Sequence, residues 1–446
     1  MKKTLLSLLV GLSLSTSALA DDLYQVYQQA LAKDPTINRA EAERDAAFQG
    51  IKISRSALLP QISSTISYSD ATREFLQQDT LGNLAILSND AETLGIELNL
   101  DLSIYDHRNW VALSRAEKVA HQSDGSFAVS KQDLIVRTVQ AYLSILRALD
   151  NLEFVQTEKR AIARQLEQTK QRFEVGLTAI TDVHEAQANF DNTVASEIIA
   201  ENEVELRREQ LREITGKYHD GISVLNTERF SPTLPQPELV DNWLTMADEK
   251  NLDLLVRKLA QDIAKQDIES ARSGHLPTLG FRASAGRNNQ DLNSINLPIT
   301  DTRSLGLQLS IPIYEGGGTS ARTSQARYNY VAASENLELT HRSIVRLVRS
   351  SYNDVVASMS TIRALQQSVI SAESALKATE AGFDVGTRTI VDVLDSTRNL
   401  YDAKRNLADA RYTYIASVVN LKRAGGNLSE EDVIDINKGL ISPVQK

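Results

Sequence analysis

The sequence predicts a mixed α and transmembrane β fold, with each chain carrying two copies of one unit: two strands followed by a long helical hairpin. Three observations support it. The stretch Phe173-Glu-Val-Gly-Leu-Thr-Ala-Ile-Thr-Asp-Val183 returns as Phe383-Asp-Val-Gly-Thr-Arg-Thr-Ile-Val-Asp-Val393, identical at six of eleven positions. Two pairs of segments upstream of these stretches alternate apolar and polar residues with period two. The nine prolines are clustered, so residues 61–231 and 313–442 contain none and can form very long regular elements.

Residues 1–20 read as a secretory signal peptide. Lys2 and Lys3 precede the apolar run Leu5–Leu14, and Ala18-Leu19-Ala20 offers small residues for cleavage. The first repeat is expected over 21–232 and the second over 233–446. Arg55-Ser-Ala-Leu-Leu-Pro60 matches Arg272-Ser-Gly-His-Leu-Pro277, and in both a helix-forming stretch meets a proline that ends it. Extended chain follows at once. Ile62, Ser64, Ile66 and Tyr68 alternate in copy one, and Leu279, Phe281, Ala283 and Ala285 in copy two. Polar loops are expected over about 70–92 and 286–303.

The second strand of each pair is clearer. Leu94, Ile96, Leu98, Leu100, Leu102 and Ile104 share one face, opposite Gly95, Glu97, Asn99, Asp101 and Ser103. Leu305, Leu307, Leu309, Ile311 and Ile313 repeat the pattern opposite Gly306, Gln308 and Ser310. The strand pairs are therefore placed at 61–105 and 278–314, and Tyr105 and Tyr314 end them as an interfacial aromatic belt would. Such alternation over about ten residues suits a strand with one lipid face and one wet face, the competing reading being a sheet on a soluble core. Four strands cannot close a barrel, and open edges in lipid leave amides unpaired, so several chains must share one.

Residues from about 107 to 175 and 316 to 383 are rich in good helix formers. Seven-residue spacing runs through Leu134, Ala141, Ala148, Val155 and Ile162, and again through Val393, Leu400, Leu407, Tyr414 and Leu421, with Ser396, Ala403, Ala410 and Ser417 alongside. That spacing means helices packed as coiled coils. A helix of almost seventy residues would be roughly 100 Å long, enough to cross a compartment. Val175-Gly176 and Val385-Gly386 mark helix stops. Thr181 and Thr389 are expected to cap the returning helices, Thr389 with Asp392 in a capping box. The hairpin tips then lie near 176–182 and 386–392, and the tail after Gly425 should pack beside the Gly216–Pro237 linker.

The chain has no cysteine and a formal net charge of −10. A disulfide scaffold and thiolate metal sites are excluded, and the acidic balance argues against nucleic acid. Six scattered histidines form no metal or triad spacing, and Gly316-Gly317-Gly318 lacks the following Lys-Ser or Lys-Thr of a phosphate loop, so no enzyme, cofactor or metal is expected. A swivel between strand and helix explains those glycines better.

From about Asp21 to Pro443 the chain resembles the outer membrane factor family, the exit ducts of Gram-negative bacteria. Leu23-Tyr-Gln-Val-Tyr-Gln-Gln-Ala30, Val175-Gly-Leu-Thr-Ala-Ile-Thr-Asp-Val183, Gly274-His-Leu-Pro-Thr-Leu279 and Val385-Gly-Thr-Arg-Thr-Ile-Val-Asp-Val-Leu-Asp395 carry the resemblance. It implies a homotrimer in outer-membrane lipid, reaching into the periplasm: a shared barrel of twelve strands, a tunnel of twelve long helices and an equatorial belt of smaller ones. It also implies a periplasmic adaptor (membrane fusion) protein and an inner-membrane RND, ABC or MFS transporter as partners, with drugs, bile salts or proteins as cargo.

By the same resemblance Thr181 and Asp182 would link to Arg388 and residue 383 to hold the periplasmic tip shut. Phe383 stands where relatives often carry tyrosine, so one closing hydrogen bond, worth about 0.5–1.5 kcal/mol, is expected to be missing and Arg388 to matter more. Asp392 and Asp395 would form a cation-selective ring at the constriction, with Arg398 placed to weaken it. Val175, Gly176, Leu177, Val385, Gly386 and Thr387 would dock the adaptor. The competing class is a trimeric coiled-coil spacer or adhesin anchored by a small barrel.

Overall fold

The computed structural model describes residues 21–78, 82 and 84–441. The signal-peptide reading of residues 1–20 lies outside them. In chain order the elements are α1 (Leu23–Lys33), α2 (Pro35–Ser56), β1 (Gln61–Gln78), β2 (Leu84–Tyr105), α3 (His107–Glu174), α4 (Ile180–Thr215), β3 (Val224–Leu225), α5 (Val240–Lys250), α6 (Leu252–Arg272), β4 (Thr278–Leu292), β5 (Ile295–Asn296), β6 (Thr300–Ser310), α7 (Gly318–Asp384), α8 (Ile390–Gly425), α9 (Glu430–Asn437) and β7 (Leu440–Ile441). Two compact units result. One gathers residues 42–125 and 255–339, the other the remaining described segments. Each unit takes material from both halves of the chain, so the spatial division does not follow the sequence repeat.

The first unit holds the sheet. Its long strands run in the order β1-β2-β4-β6, all antiparallel, with the two-residue β5 on β4. Register places Ile66 opposite Ile96 and Ile96 opposite Arg287, while Asp101 sits opposite Arg282. Leu94 to Leu102 therefore share a face with Phe281, Leu305 and Leu307, and Glu97, Asn99, Arg282, Ser284 and Ser304 share the other. On that polar face Arg282 Nε donates to Asp101 at 2.7 Å. Every residue of β1 and β6 is exposed. A sheet lying on a soluble core would bury one face, and these outer strands bury neither.

The strands depart from their expected extents. β1 and β2 continue through most of the supposed 70–92 loop, and β4 and β6 reduce the 286–303 loop to residues 293–299. Polar residues do not end a strand whose backbone is paired across a hairpin, and the β1–β2 ladder runs unbroken from Gln61↔Asp101 to Gln78↔Leu84. β6 stops at Ser310 rather than Tyr314. Pro312 has no N–H for a ladder. Gly316 and Gly317, with φ of 61° and 83°, then turn the chain into α7.

The second unit is helical. Leu134, Ala148, Val155 and Ile162 of α3 are buried, as are Val393, Leu400, Leu407 and Leu421 of α8, and so are the small residues Ala403, Ala410 and Ser417. The heptad reading thus marks inward faces. Around Leu134–Leu146, side chains from α1, α4, α8 and the 222–225 segment form one core. Tyr142 donates its hydroxyl to Ser223 O at 2.7 Å, and β3 pairs with β7, joining the tail to the linker as expected. α8 ends at Gly426, whose φ of 78° continues the chain left-handed. A Cβ at Gly426 would lie 2.5 Å from the Lys250 carbonyl carbon, and one at Gly425 2.8 Å from Trp243.

Two left-handed glycines therefore behave differently. Gly176→Ala meets nothing within 4 Å and should cost about 1–2 kcal/mol from backbone strain alone. Gly426→Ala also collides with the backbone of residues 250–251 and should cost several kcal/mol. Heat-dissociation midpoints of the detergent-extracted variants check this: Gly426→Ala should lower the midpoint well beyond Gly176→Ala.

Candidate functional site

The repeated motif builds the same turn twice. α3 ends at Glu174 and Leu177 N donates to Arg172 O at 2.8 Å; α7 ends at Asp384 and Thr387 N donates to Gly382 O at 2.8 Å. Gly176 and Gly386 sit at φ of 77° and 79°. These long bonds back into the helix close each C-terminus in a Schellman arrangement. The turns expose apolar side chains, with Val175 at 70% and Val385 at 75% of full accessibility, and Leu177 is similarly exposed.

The returning helices are capped differently. Thr389 is the N-cap of α8: its hydroxyl accepts from Asp392 N at 3.2 Å, and its own N–H donates to Asp392 Oδ2 at 2.8 Å. Thr181 does not cap α4. That helix begins at Ile180 after Ala179, which has no side-chain cap, and Thr181 lies inside the first turn. Alignment of the two copies explains the misplacement, since the counterpart of Thr389 is Ala179. Thr178 takes over part of the task by donating its hydroxyl to Asp182.

Asp392 is held below the ordinary carboxylate range, chiefly by the Thr389 N–H and then by its hydroxyl. A depressed carboxylate stabilises above its unfolded pKa of about 3.9 and loses that contribution only as pH falls through the lower folded value, so the α8 cap is intact at neutral pH.

Within the chain, Thr181 and Asp182 are not brought to Arg388. Among the described residues, the Arg388 guanidinium has no hydrogen bond or ion pair, and its stem lies over Gly382, where a Cβ would come within 2.7 Å of Cγ. The hairpins are joined instead through Arg172, which the sequence reading did not single out. Its guanidinium carbon stands 4.5 Å from the Phe383 ring centroid. One terminal nitrogen donates to Phe383 O and the other lies by Asp384 Oδ1, both at 3.5 Å. Gln168 Nε2 adds a 3.4 Å bond to the same carboxylate oxygen. Phe383 is 7% exposed and packs with Ile162, Leu166, Ala186, Ile390, Val393 and Leu394. A cation over an aromatic face contributes about 0.5–2 kcal/mol.

Asp395 is exposed, three residues beyond Asp392. Arg398 approaches it only to 3.8 Å and donates at 3.0 Å to Asn189 Oδ1. Arg398 is thus shared with α4, and its screening of Asp395 is partial. Asp392 faces its own cap, whereas Asp395 remains open to solvent.

The family model described as outer membrane efflux protein matches residues 26–217 and 243–427. The chain is similar to "Outer membrane protein TolC" of Vibrio cholerae, 46% identical over 98% of this chain and 99% of that one. It is 29% identical to the alkaline protease secretion protein AprF of Pseudomonas aeruginosa over 95% of this chain and 88% of that one. Among solved structures, the CmeC outer membrane channel of Campylobacter jejuni superposes with a TM-score of 0.78 at 17% identity, over 95% and 90% of the two chains.

Removing the Thr389 hydroxyl should cost about 1 kcal/mol of helix-start stability. Limited proteolysis checks the assignment: Thr389→Ala should speed cleavage between residues 384 and 390.

Proposed function

The chain belongs to the outer membrane efflux protein family, and from that premise we propose how its two helical tips work. The protein is an outer-membrane channel for efflux and type I secretion, with the mixed α and transmembrane β tunnel fold in which strands from three chains share one barrel. The family is one of transport proteins rather than an enzyme class. It works within a tripartite pump or a type I secretion assembly. The finer reading is that a periplasmic adaptor docks on the exposed tips at Val175–Leu177 and Val385–Thr387. An RND, ABC or MFS transporter then supplies energy, and the cargo comprises drugs, bile salts and secreted proteins.

The Arg172–Phe383 stack carries the gating reading. It ties the first hairpin of a chain to the second at their tips, where relatives are expected to use a tyrosine hydroxyl. Phe383 cannot donate to Asp182, and the ring instead presents its face to a cation. The contact is weak enough to part: three copies amount to a few kcal/mol at most, within reach of a bound partner's differential affinity for the open form. Arg388, whose guanidinium makes no hydrogen bond or ion pair within its own chain among the described residues, reaches Thr181 or Asp182 of a neighbouring copy when the tips are together. Opening thus means unstacking Arg172 from Phe383 and releasing Arg388, while the helices below stay packed.

Behind the tips, the ring of Asp395 residues gives the bore its cation preference, with Asp392 secondary because its carboxylate is engaged by Thr389. Closely placed carboxylates attract cations and repel anions without any chemical step.

Planar-bilayer recording tests both parts. Arg172→Ala should raise resting conductance several-fold over wild type, and Arg172→Lys, which keeps the cation but loses the planar fork, should fall between. Unchanged conductance in Arg172→Ala would remove the stack from the gate. Under a potassium chloride gradient, Asp395→Ala should move the reversal potential toward zero further than Asp392→Ala does; the opposite ranking would make the capping carboxylate the selective one.

A further inference from the structure

In the helical unit the long helices follow one another as α4, α3, α8 and α7. α4 is tied to α3 through Glu197 and Lys159. Arg405 and Glu158 tie α8 to α3 at 3.0 Å, and Lys404 and Glu373 tie α8 to α7 at 3.1 Å. Arg398 of α8 also donates to Asn189 of α4. Among the described residues no hydrogen bond or ion pair joins α4 to α7. These two helices are the flanks of the chain's wall.

Both flanks carry one pattern with opposite sign. On α4, Asp191, Ile198 and Glu205 recur every seven residues, turned away from the buried Thr193 and Ala200. On α7, Arg363, Ile370 and Lys377 recur with the same spacing. Seven residues fall about 20° short of two turns, so each set forms one stripe. All six residues are exposed, Ile198 at 61% and Ile370 at 56%. Ile199 is committed elsewhere, lining the cleft over α3 with Glu158 and Arg405.

The charges of the stripes are not spent within the chain. Arg363 and Lys377 make no hydrogen bond or ion pair among the described residues. Asp191 accepts from Gln187 of its own helix at 2.9 Å, and Glu205 from Arg208 at 2.8 Å and from Tyr218. A carboxylate has about four acceptor positions, so both can take a further donor. Glu201, one turn before Glu205, is exposed and has no partner among the described residues.

We propose that the two stripes meet across copies: α4 of one chain packs antiparallel against α7 of the next, Ile198 on Ile370, with Asp191 facing Lys377 and Glu205 facing Arg363. α4 runs away from its tip and α7 runs toward its own, so a step of seven along one matches a step of seven back along the other. A slip of one heptad either way sets Ile198 beside Arg363 or Lys377 and leaves a carboxylate against Ile370. Charge and apolar burial therefore select the same register, with the helices staggered by about one turn. The seam rests on the shared-barrel reading and continues upward from the contact of Arg388 with a neighbour's Thr181 or Asp182. One exposed ion pair adds little. Here two flank an apolar contact in each of three seams, which makes closure of the helical wall dependent on charge.

The absence of cysteine permits a direct test on the full-length protein in proteoliposomes. An Ile198→Cys, Ile370→Cys double variant treated with a short bismaleimide should give covalent species of two and three chains on denaturing gels, each single variant remaining one chain. A double variant that runs as a native trimer yet stays one chain after treatment overturns the seam and leaves the barrel standing. Wild-type protein that never runs as a trimer overturns both. Charge exchange decides the case independently of the cysteines. Asp191→Lys and Lys377→Asp should each lower the heat-dissociation midpoint of the trimer by several degrees, and the combined variant, with the charges exchanged, should recover most of that loss. Single variants equal to wild type, or a combined variant no more stable than the weaker single one, overturn the pairing.

Discussion

Backbone amides at the two free edges of one sheet govern this molecule. Within the described residues, β1 and β6 each pair on one side only, and their outward N–H and C=O groups lie at the level of an aliphatic band. Hydrocarbon offers those groups nothing, and each left unpaired would cost several kcal/mol. No rearrangement of four strands repairs this. The repair must come from another chain's edge, so the assembled state is the only one in which the sheet tolerates a membrane. Three sets of four strands satisfy every edge, and the polar face with Glu97, Arg282 and the serines then lines a wet bore.

The same need for partners appears in the helices. α8 buries a stripe of Val393, Leu400, Leu407 and Leu421 together with Ala403, Ala410 and Ser417. A helix with large and small residues inward on neighbouring positions packs closely against others along its length without filling the space beyond them. That distribution favours a wall over a solid bundle, consistent with membership of a channel family and against the spacer reading, which needs large apolar side chains on a central seam.

Much of this was legible because the governing signals are local or periodic. The period-two alternation identified the apolar stretches of β2 and β6 from Leu94 to Ile104 and from Leu305 to Leu309, the glycines at 176 and 386 marked both tips, and Thr389-x-x-Asp392 declared its cap. The errors arose where a distant partner overrides local chemistry. Polar residues at 70–92 looked like loop, yet pairing along the hairpin carries β1 to Gln78. Thr181 looked like a cap because it is a threonine near a helix start, but the duplicate places Ala179 at the cap position. Arg172 was invisible for the same reason: nothing nearby in sequence shows that a ring 211 positions away will lie beneath its guanidinium.

The duplicate itself held the missing clue. Arg172 aligns with Gly382 and Thr178 aligns with Arg388, so each tip keeps one arginine at a different end of its turn. In the second copy Gly382 leaves room for the Arg388 stem, and in the first Thr178 leaves Asp182 with a short neutral partner while Arg172 reaches across to Phe383. If both copies carried arginine at the first position, a side chain at 382 would collide with Arg388 and the second turn could not close as it does. The two hairpins have therefore diverged into complementary halves: one supplies the cation, the other the ring and the carboxylate beside it. Two identical halves could not make such a directed contact, and the exchange of arginine for glycine is what lets one repeated turn reach across to the other.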